Sequence, residues 1–253
     1  MIDTRTILGE IFYSPYSISA EERKKNIEKK FLELKNLINI FLNKSNSKLI
    51  ITNLHVPTYS PYGLYETKTE YGFHSMISDF NKKLEVEFMK NDSVYIFNFN
   101  QFVSKYGNDN IFNIKQFLFG DIKISLDYIP FLADEFLNYI LASLGLSKRC
   151  IVLDLDNTLW GGVIGEDGFD GIQLGSNPQG NAYVEFQKHL LALNQRGILL
   201  AINSKNNLED ALKVIDDHPN MILRRNNFSC LKINWNDKVS NMKEISQELN
   251  FGL

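Results

Sequence analysis

The first half of the chain alternates between a helical and a strand-like pattern of apolar residues. Ser19 followed by Glu22 is typical of the capping box that begins a helix, and the apolar residues after it recur at helical spacing. The apolar positions of this predicted helix are Ile27, Phe31, Leu34, Leu37, Ile38 and Phe41. Apolar runs over 48–53 and 93–98 predict two strands, with a second helix over 73–89 between them. Because a crossover helix usually connects parallel strands, we expect these strands to pair in parallel.

A similar alternation continues in the second half, which begins with an apolar strand that ends in acidic residues. Helices are predicted over 181–196, 208–216 and 238–249, and further strands over 198–202 and 221–223. This series predicts an α/β fold with a doubly wound, Rossmann-like sheet.

A domain boundary is predicted close to residue 147. A helix over 130–144 is followed by a short junction, 145–149, before the acidic strand begins. The predicted domains are residues 1–147 and 148–253. With 253 residues and 44% hydrophobic content, the chain is long enough for each domain to bury its own core.

Net charge and cysteine content narrow the class of partner. The chain has a formal net charge of −3, with both signs spread along it, which gives no electrostatic footprint for nucleic acid or an anionic membrane. The partner is therefore expected to be a small molecule or a protein. Two cysteines, no basic-then-apolar leader and no long apolar run favour a cytoplasmic protein with reduced thiols.

Two acidic residues, Asp154 and Asp156, follow the strand that opens the second half. In open parallel sheets, ligands bind beyond the carboxyl ends of the strands. The two side chains point to the same side of an extended segment and repel each other unless a cation lies with them, which predicts Mg²⁺. One carboxylate can then attack phosphorus while the other acts as general acid and base. An isolated pair of this kind more often only ends a strand, so the surrounding residues decide.

The segment Asp154-Leu-Asp-Asn-Thr-Leu-Trp-Gly-Gly-Val-Ile-Gly-Glu-Asp-Gly168 resembles the first motif of the haloacid dehalogenase (HAD) superfamily, in the form typical of its subfamily IIIC, the FkbH-like proteins. The resemblance covers residues 149–253 and implies a capless, Rossmann-like HAD domain. It implies that Asp154 is the nucleophile and a metal ligand. It also implies that Asp156 is the general acid and base and gives Mg²⁺ its backbone carbonyl, and that Thr158 steadies the turn.

The resemblance also implies a serine and a lysine on later elements. Ser204, at the end of the next strand, corresponds to the second motif, which donates to the phosphoryl oxygens; an ordinary helix N-cap is the structural alternative. The lysine of the third motif has two candidates, and Lys238 fits the pattern W-x-x-K better than Lys232. Asn157 and Lys205 are further predicted substrate-binding residues.

Glycines 161, 162, 165 and 168 are expected to form a tight hairpin flap beside the active site. No separate cap domain is visible between the first two motifs. An open site of this kind favours a substrate carried on a protein or another large molecule.

The N-terminal half is similar to the SGNH-hydrolase-like domain that precedes the HAD domain in this family. It contains His55 and His74 but no G-D-S turn and no D-x-x-H ending, so a Ser-His hydrolase is not predicted. His55 is expected to be a hydrogen-bonded structural residue. Because related sequences continue to an Asp-Asp pair that completes the metal site, the resemblance implies a chain truncated at both ends and lacking the fourth motif.

FkbH-like proteins dephosphorylate a phosphorylated three-carbon acyl donor and load the glyceryl group onto an acyl carrier protein, in polyketide or polysaccharide assembly. This role needs a thiol, for which Cys150 is the candidate, although a small buried hydrophobic residue is the commoner role of such a cysteine. Cys230 is predicted to lie in the core. Two alternatives remain: a general phosphatase of small phosphate esters, and a truncated binding module without catalysis.

Overall fold

Two parallel sheets organise the chain, one in each of two structural units. The computed structural model describes residues 2–250, and the chain divides into units of residues 1–147 and 148–253. Residue 1 and residues 251–253, which fall within the two predicted domains, lie outside the described residues. Within the described part, no helix has the length and apolar character needed to cross a bilayer. The mixed α/β architecture with parallel strands is confirmed.

In the first unit, β1 (Leu49–Thr52) and β2 (Val94–Phe97) pair in parallel. The surrounding helices are α1 (Thr4–Leu8), α2 (Ala20–Lys44), α3 (Phe73–Phe88), α4 (Phe99–Tyr106), α5 (Asn108–Ile111), α6 (Ile114–Gly120) and α7 (Ile129–Ser143). The short helices α4, α5 and α6 had no counterpart among the predicted elements.

Helix α2 begins at the predicted capping box. The Glu22 amide donates to Ser19 Oγ at 3.3 Å, and the Ser19 amide donates to Glu22 Oε2 at 2.8 Å. Along the helix, Ile27, Phe31 and Ile38 are buried against the unit's core, but Leu37 is 64% exposed. Leu37 lies roughly 100° around the helix axis from Ile38, so it points away from the core despite its apolar side chain.

In the second unit, three parallel strands run in the order β3 (Cys150–Leu153), β4 (Leu199–Ser204) and β5 (Phe228–Ile233). The helices of its described residues are α8 (Ile164–Gly171), which is interrupted at Gly168 with φ of 70° and ψ of 175°, α9 (Pro178–Gln195), α10 (Leu208–Asp217) and α11 (Lys238–Glu248). The segment after β3 enters the core, where Leu155, Leu159 and Trp160 have no exposed area. Buried packing thus fixes the backbone that carries Asp154 and Asp156.

The strand predicted over 221–223 is wrong. The amides of Ile222 and Leu223, which a neighbouring strand would need, donate instead to Oε1 of Gln187 at 2.8 and 3.1 Å. Gln187 is fully buried on α9, and its Nε2 donates to the Leu159 carbonyl at 2.7 Å. One glutamine therefore joins the loop after β3 to a segment whose apolar residues resemble a strand. The third strand of the sheet is β5.

Replacing Gln187 by leucine is expected to lower the free energy of unfolding by at least about 3 kcal/mol. The substitution leaves buried amides and a carbonyl without partners, and each such group costs about 1–3 kcal/mol. Urea unfolding of the variant measures the change. Gln195→Leu, at an exposed position of the same helix, serves as the matched control. Equal unfolding midpoints for the two variants would contradict the role given to Gln187.

Candidate active site

Asp154, Ser204 and Lys238 meet at the carboxyl edge of the second sheet. Asp154 directly follows β3, Ser204 is the last residue of β4, and Lys238 is the first residue of α11. Ser204 Oγ donates to Asp154 Oδ1 at 2.5 Å, and Lys238 Nζ donates to Asp154 Oδ2 at 2.5 Å. Three residues separated widely in sequence therefore converge on one carboxylate.

The carboxylate of Asp154 is held in its ionised form. Burial alone would raise its pKa, but hydrogen bonds from Lys238, Ser204 and the Leu155 amide together hold the pKa below its usual range. Asp154 therefore remains a carboxylate in neutral and mildly acidic solution. An ionised carboxylate is the form that can act as a nucleophile toward phosphorus.

The two candidate lysines of the third motif occupy different surroundings. Lys238 contacts Asp154, whereas Lys232 Nζ forms ion pairs with Glu244 and Glu248 at 3.0 and 3.2 Å. Lys232 belongs to β5, and its ammonium group is bound by these two carboxylates of α11. Only Lys238 lies where it can stabilise charge that develops at Asp154.

Asparagines that the sequence reasoning missed support Ser204 and Lys238. Asn203 Nδ2 donates to the Lys238 carbonyl at 2.9 Å, and Nδ2 of the fully buried Asn241 donates to Asn203 Oδ1 at 3.2 Å. Asn206 Nδ2 donates to Ser204 Oγ at 3.2 Å, which leaves the hydroxyl hydrogen directed at Asp154. The abundance of asparagine at the ends of β4 and β5 was the signal available in the sequence.

Asp156 has one carboxylate oxygen occupied and one available. Its Oδ1 accepts hydrogen bonds from Trp160 Nε1 at 2.9 Å and from the Ile164 amide at 3.1 Å. In the protonated acid, Oδ2 therefore carries the hydrogen. The predicted turn at Thr158 is closed by its backbone, because the Thr158 amide donates to the Leu155 carbonyl at 3.1 Å.

Asn157 forms the loop beside the two aspartates. It adopts a left-handed conformation with φ of 55°, and its Oδ1 accepts from the Gly162 amide at 2.9 Å. Gly162 also has a positive φ, of 91°, and a Cβ there would lie 2.5 Å from Asp167 Oδ2. Asn157 is exposed, so a substrate can reach it, but its side-chain oxygen is already used to close the loop.

The tight hairpin predicted for the glycine-rich segment 161–168 is wrong. Gly161 does pair antiparallel with Gln173, but α8 lies between them. The helix begins because Asp167 Oδ2 accepts the Val163 amide at 2.8 Å, and because acidic residues in a first turn favour a helix N-terminus. Glycine permits a hairpin turn but does not require one.

The remaining predicted residues lie apart from the carboxylates. Lys205 is exposed directly after Ser204. Cys150 begins β3, about 13 Å along an extended strand from Asp154 and at the opposite edge of the sheet. Burial raises the pKa of the Cys150 thiol and, with a hydrogen bond to Glu248, raises that of Cys230 to about 11. The structure does not bring Cys150 to the candidate active site, and Cys230 is buried as predicted.

The residues at this edge suit a hard cation with few protein ligands. The described residues contain no group of three or more histidine, cysteine, aspartate or glutamate side chains positioned to hold a metal. Asp154 and Asp156 nevertheless offer carboxylate and carbonyl oxygens. Mg²⁺ is commonly bound through one or two carboxylates and completes its shell with water and substrate phosphate. The donor set therefore fits Mg²⁺ bound together with a phosphorylated ligand.

A parallel α/β domain that places an Asp-x-Asp pair after one strand, a serine after the next and a lysine at a following helix defines a HAD-type protein. The family model described as FkbH, N-terminal domain, matches residues 9–141, which is more than half of the chain. The chain therefore belongs to the FkbH family.

One solved structure is similar over nearly the whole chain. It is described as the N-terminal part of the protein BF1531 from Bacteroides fragilis, containing a phosphatase domain complexed with Mg, with 28% identity and a TM-score of 0.84. The match covers 99% of this chain but 65% of that one, so this chain spans less than two thirds of its length. A comparison with curated protein sequences gave no significant match.

Proposed function

We propose that this chain carries a Mg²⁺-dependent, HAD-type phosphohydrolase site in which Asp154 accepts the phosphoryl group. The observation that supports this most strongly is the convergence of Ser204 Oγ and Lys238 Nζ on the Asp154 carboxylate. Membership of the FkbH family and the similarity to a phosphatase domain complexed with Mg support it independently.

The reaction follows from the roles of the two aspartates. A carboxylate oxygen of Asp154 forms a bond to phosphorus as the ester P–O bond breaks, and Asp156 donates the proton from Oδ2 to the departing oxygen. Asp156, now a carboxylate, then takes a proton from the water that attacks phosphorus. The bond between Asp154 and phosphorus breaks, inorganic phosphate leaves, and both aspartates return to their starting forms.

Two residues stabilise the charge that develops on the phosphoryl group. Lys238 provides a cation, and Ser204 provides a hydroxyl donor that rotates from Asp154 to a phosphoryl oxygen. Asp154 and the Asp156 carbonyl would hold Mg²⁺, which supplies further positive charge toward the phosphoryl oxygens when bound.

The proposal is tested by hydrolysis of p-nitrophenyl phosphate in Mg²⁺, in EDTA and in EDTA followed by excess Mg²⁺. We expect EDTA to lower the rate at least about 100-fold, because several kcal/mol of charge stabilisation is lost, and Mg²⁺ to restore it. Calcium, which prefers more ligands at longer distances, should not restore the rate. Hydrolysis that survives EDTA unchanged would contradict a metal-dependent site.

The finer proposal is that the physiological reaction transfers a glyceryl group to an acyl carrier protein, as part of polyketide or polysaccharide assembly. Family membership supports it, as does the openness of the site, where the Asp154 and Lys238 side chains are 39% and 44% exposed. Such a site can receive a phosphorylated group carried by a protein. The position of Cys150 at the other edge of the sheet favours the carrier's own thiol as the acceptor.

Mass spectrometry of a carrier protein incubated with this chain and a phosphorylated three-carbon acyl donor distinguishes the candidates. Gain of a glyceryl group that requires the phosphopantetheine thiol, and that persists in Cys150→Ser, would support the proposal. Release of phosphate with no modification of the carrier would favour the general phosphatase.

For the first unit we propose an SGNH-hydrolase-like origin without hydrolytic activity. Its parallel strands β1 and β2, with His55 after β1, support this relation. His55 Nδ1 receives no hydrogen bond from a serine hydroxyl or any other group of the described residues. The two unpaired cysteines of the chain are in keeping with a cytoplasmic location.

A further inference from the structure

The first unit contains a cleft at the carboxyl ends of its two strands. Phe99 follows β2 and His55 lies three residues beyond β1, and both line the cleft. Its volume is about 150 Å³, comparable to cavities that hold a benzene ring. The other aromatic walls are Phe12, Tyr59, Phe112 and Phe117. The position is the one at which open parallel sheets commonly bind ligands.

Arg5 lines this cleft and has no acidic partner in the part of the chain that the structure describes. Its guanidinium carbon lies 4.2 Å from the ring centroid of Phe117 and 5.3 Å from that of Phe12. No carboxylate of the described residues comes within ion-pair distance of it. Both rings lie within cation–π distance of the guanidinium, and no hydrogen bond among the described residues occupies its N–H donors. An unpaired guanidinium matches the two oxygens of a carboxylate.

His55 provides a second polar side chain in the lining of the cleft. Its Nδ1 is buried and forms no hydrogen bond with any described residue. The ring as a whole is hydrogen-bonded, as the sequence predicts, because the side chains of Asn108 and Asn100 bond to it. Burial lowers the pKa of His55, although the amides of Asn108 and Asn100 partly oppose this, so the ring is neutral at pH 7. Its ring packs on Phe112 with centroids 4.6 Å apart.

The charged residues that line the cleft favour a ligand with a single negative charge. Asp3 is paired with Lys123 at 3.4 Å and also caps α1, so these two residues balance each other. Arg5 then leaves the cleft with one positive charge. A monoanion neutralises it, whereas a phosphate dianion would bring one uncompensated charge into an aromatic pocket.

We propose that this cleft binds a small organic acid. The carboxylate pairs with Arg5, and an apolar body of about the size of a phenyl ring packs against the aromatic walls and the His55 ring. The site is distinct from the residues around Asp154, and the binding it predicts does not depend on the phosphohydrolase reaction.

Ligand-observed ¹⁹F NMR of the full chain with 4-fluorobenzoate tests the proposal. The neutral isostere 4-fluorobenzamide and the dianion 4-fluorophenylphosphonate are the comparison ligands. Arg5→Gln removes the guanidinium, and Arg5→Lys keeps the positive charge but loses the paired N–H donors. Lys68→Gln removes an exposed cation elsewhere in the same unit and is the matched control. Asp154→Asn controls for binding at the candidate active site.

We expect 4-fluorobenzoate to bind at least about tenfold more tightly than either comparison ligand. Arg5→Gln should weaken binding by at least about tenfold and Arg5→Lys by less, while Lys68→Gln and Asp154→Asn leave it unchanged. Circular dichroism establishes that each variant is folded. The proposal is overturned by absence of binding, by equal binding of the amide, by tighter binding of the phosphonate, or by a folded Arg5→Gln variant that binds normally.

Discussion

Asp154→Asn should lower kcat for p-nitrophenyl phosphate by about four orders of magnitude or more, while the protein stays folded. The amide keeps the shape of the side chain but cannot form the bond to phosphorus, and loss of a nucleophile removes most of the rate enhancement of an enzyme. Steady-state kinetics in saturating Mg²⁺ measures the effect.

The matched control is Asp217→Asn, which makes the same chemical change at an exposed position of α10. It should retain the wild-type rate. The sequence alone suggested that removing the charge of Asp154 would relieve repulsion, but in the structure this charge attracts Lys238. Because the pair is partly exposed, its loss should change stability by no more than about 1 kcal/mol. Substantial turnover by a folded Asp154→Asn variant would exclude Asp154 as the nucleophile.

Lys238→Gln should lower kcat by about 100- to 1000-fold, a typical loss when one preorganised donor to a developing charge is removed. Lys238 Nζ donates a hydrogen bond to Asp154 Oδ2, whereas Lys232 forms ion pairs with two glutamates of α11. Lys232→Gln removes the same charge from the same unit and should retain most of the activity. The ratio of the two kcat values measures the effect of position rather than net charge.

The opposite ranking of the two lysine variants would assign the third motif to Lys232. Equal and small effects would mean that neither amine stabilises the transferring group. A change in KM with constant kcat for Lys238→Gln would restrict its role to binding in the ground state.

The longer helices and the strands could be predicted because the spacing of their apolar residues reflects one buried face. The start of helix α2 could be predicted because its capping box involves only neighbouring residues. The exposure of Leu37 could not, because it depends on which side of α2 packs against the core. The short helices α4 to α6 lack a periodic pattern long enough to recognise. Strand β5 was overlooked as a sheet member because the apolar run at 221–223 competed with it.

In the candidate site, the residues that carry chemistry could be predicted, but those that support them could not. The positions of Asp154 and Ser204 follow from the ends of parallel strands, which must share an edge of the sheet. Gln187 and Asn241 act through contacts with residues 28 and 38 positions away in sequence, respectively. No local pattern marks such long-range polar contacts. The same is true of Arg5, whose partners Phe12 and Phe117 meet it only after folding.

Borohydride trapping of the enzyme during turnover tests the central claim most directly. The protein is mixed with Mg²⁺ and aryl phosphate, quenched within the first turnovers and reduced, which converts an aspartyl phosphate to homoserine. Peptide mass spectrometry then locates the modified position. We predict homoserine at residue 154 that depends on both substrate and Mg²⁺. Active turnover with unmodified Asp154, or with homoserine at another aspartate, would contradict the assignment of Asp154 as the phosphate acceptor.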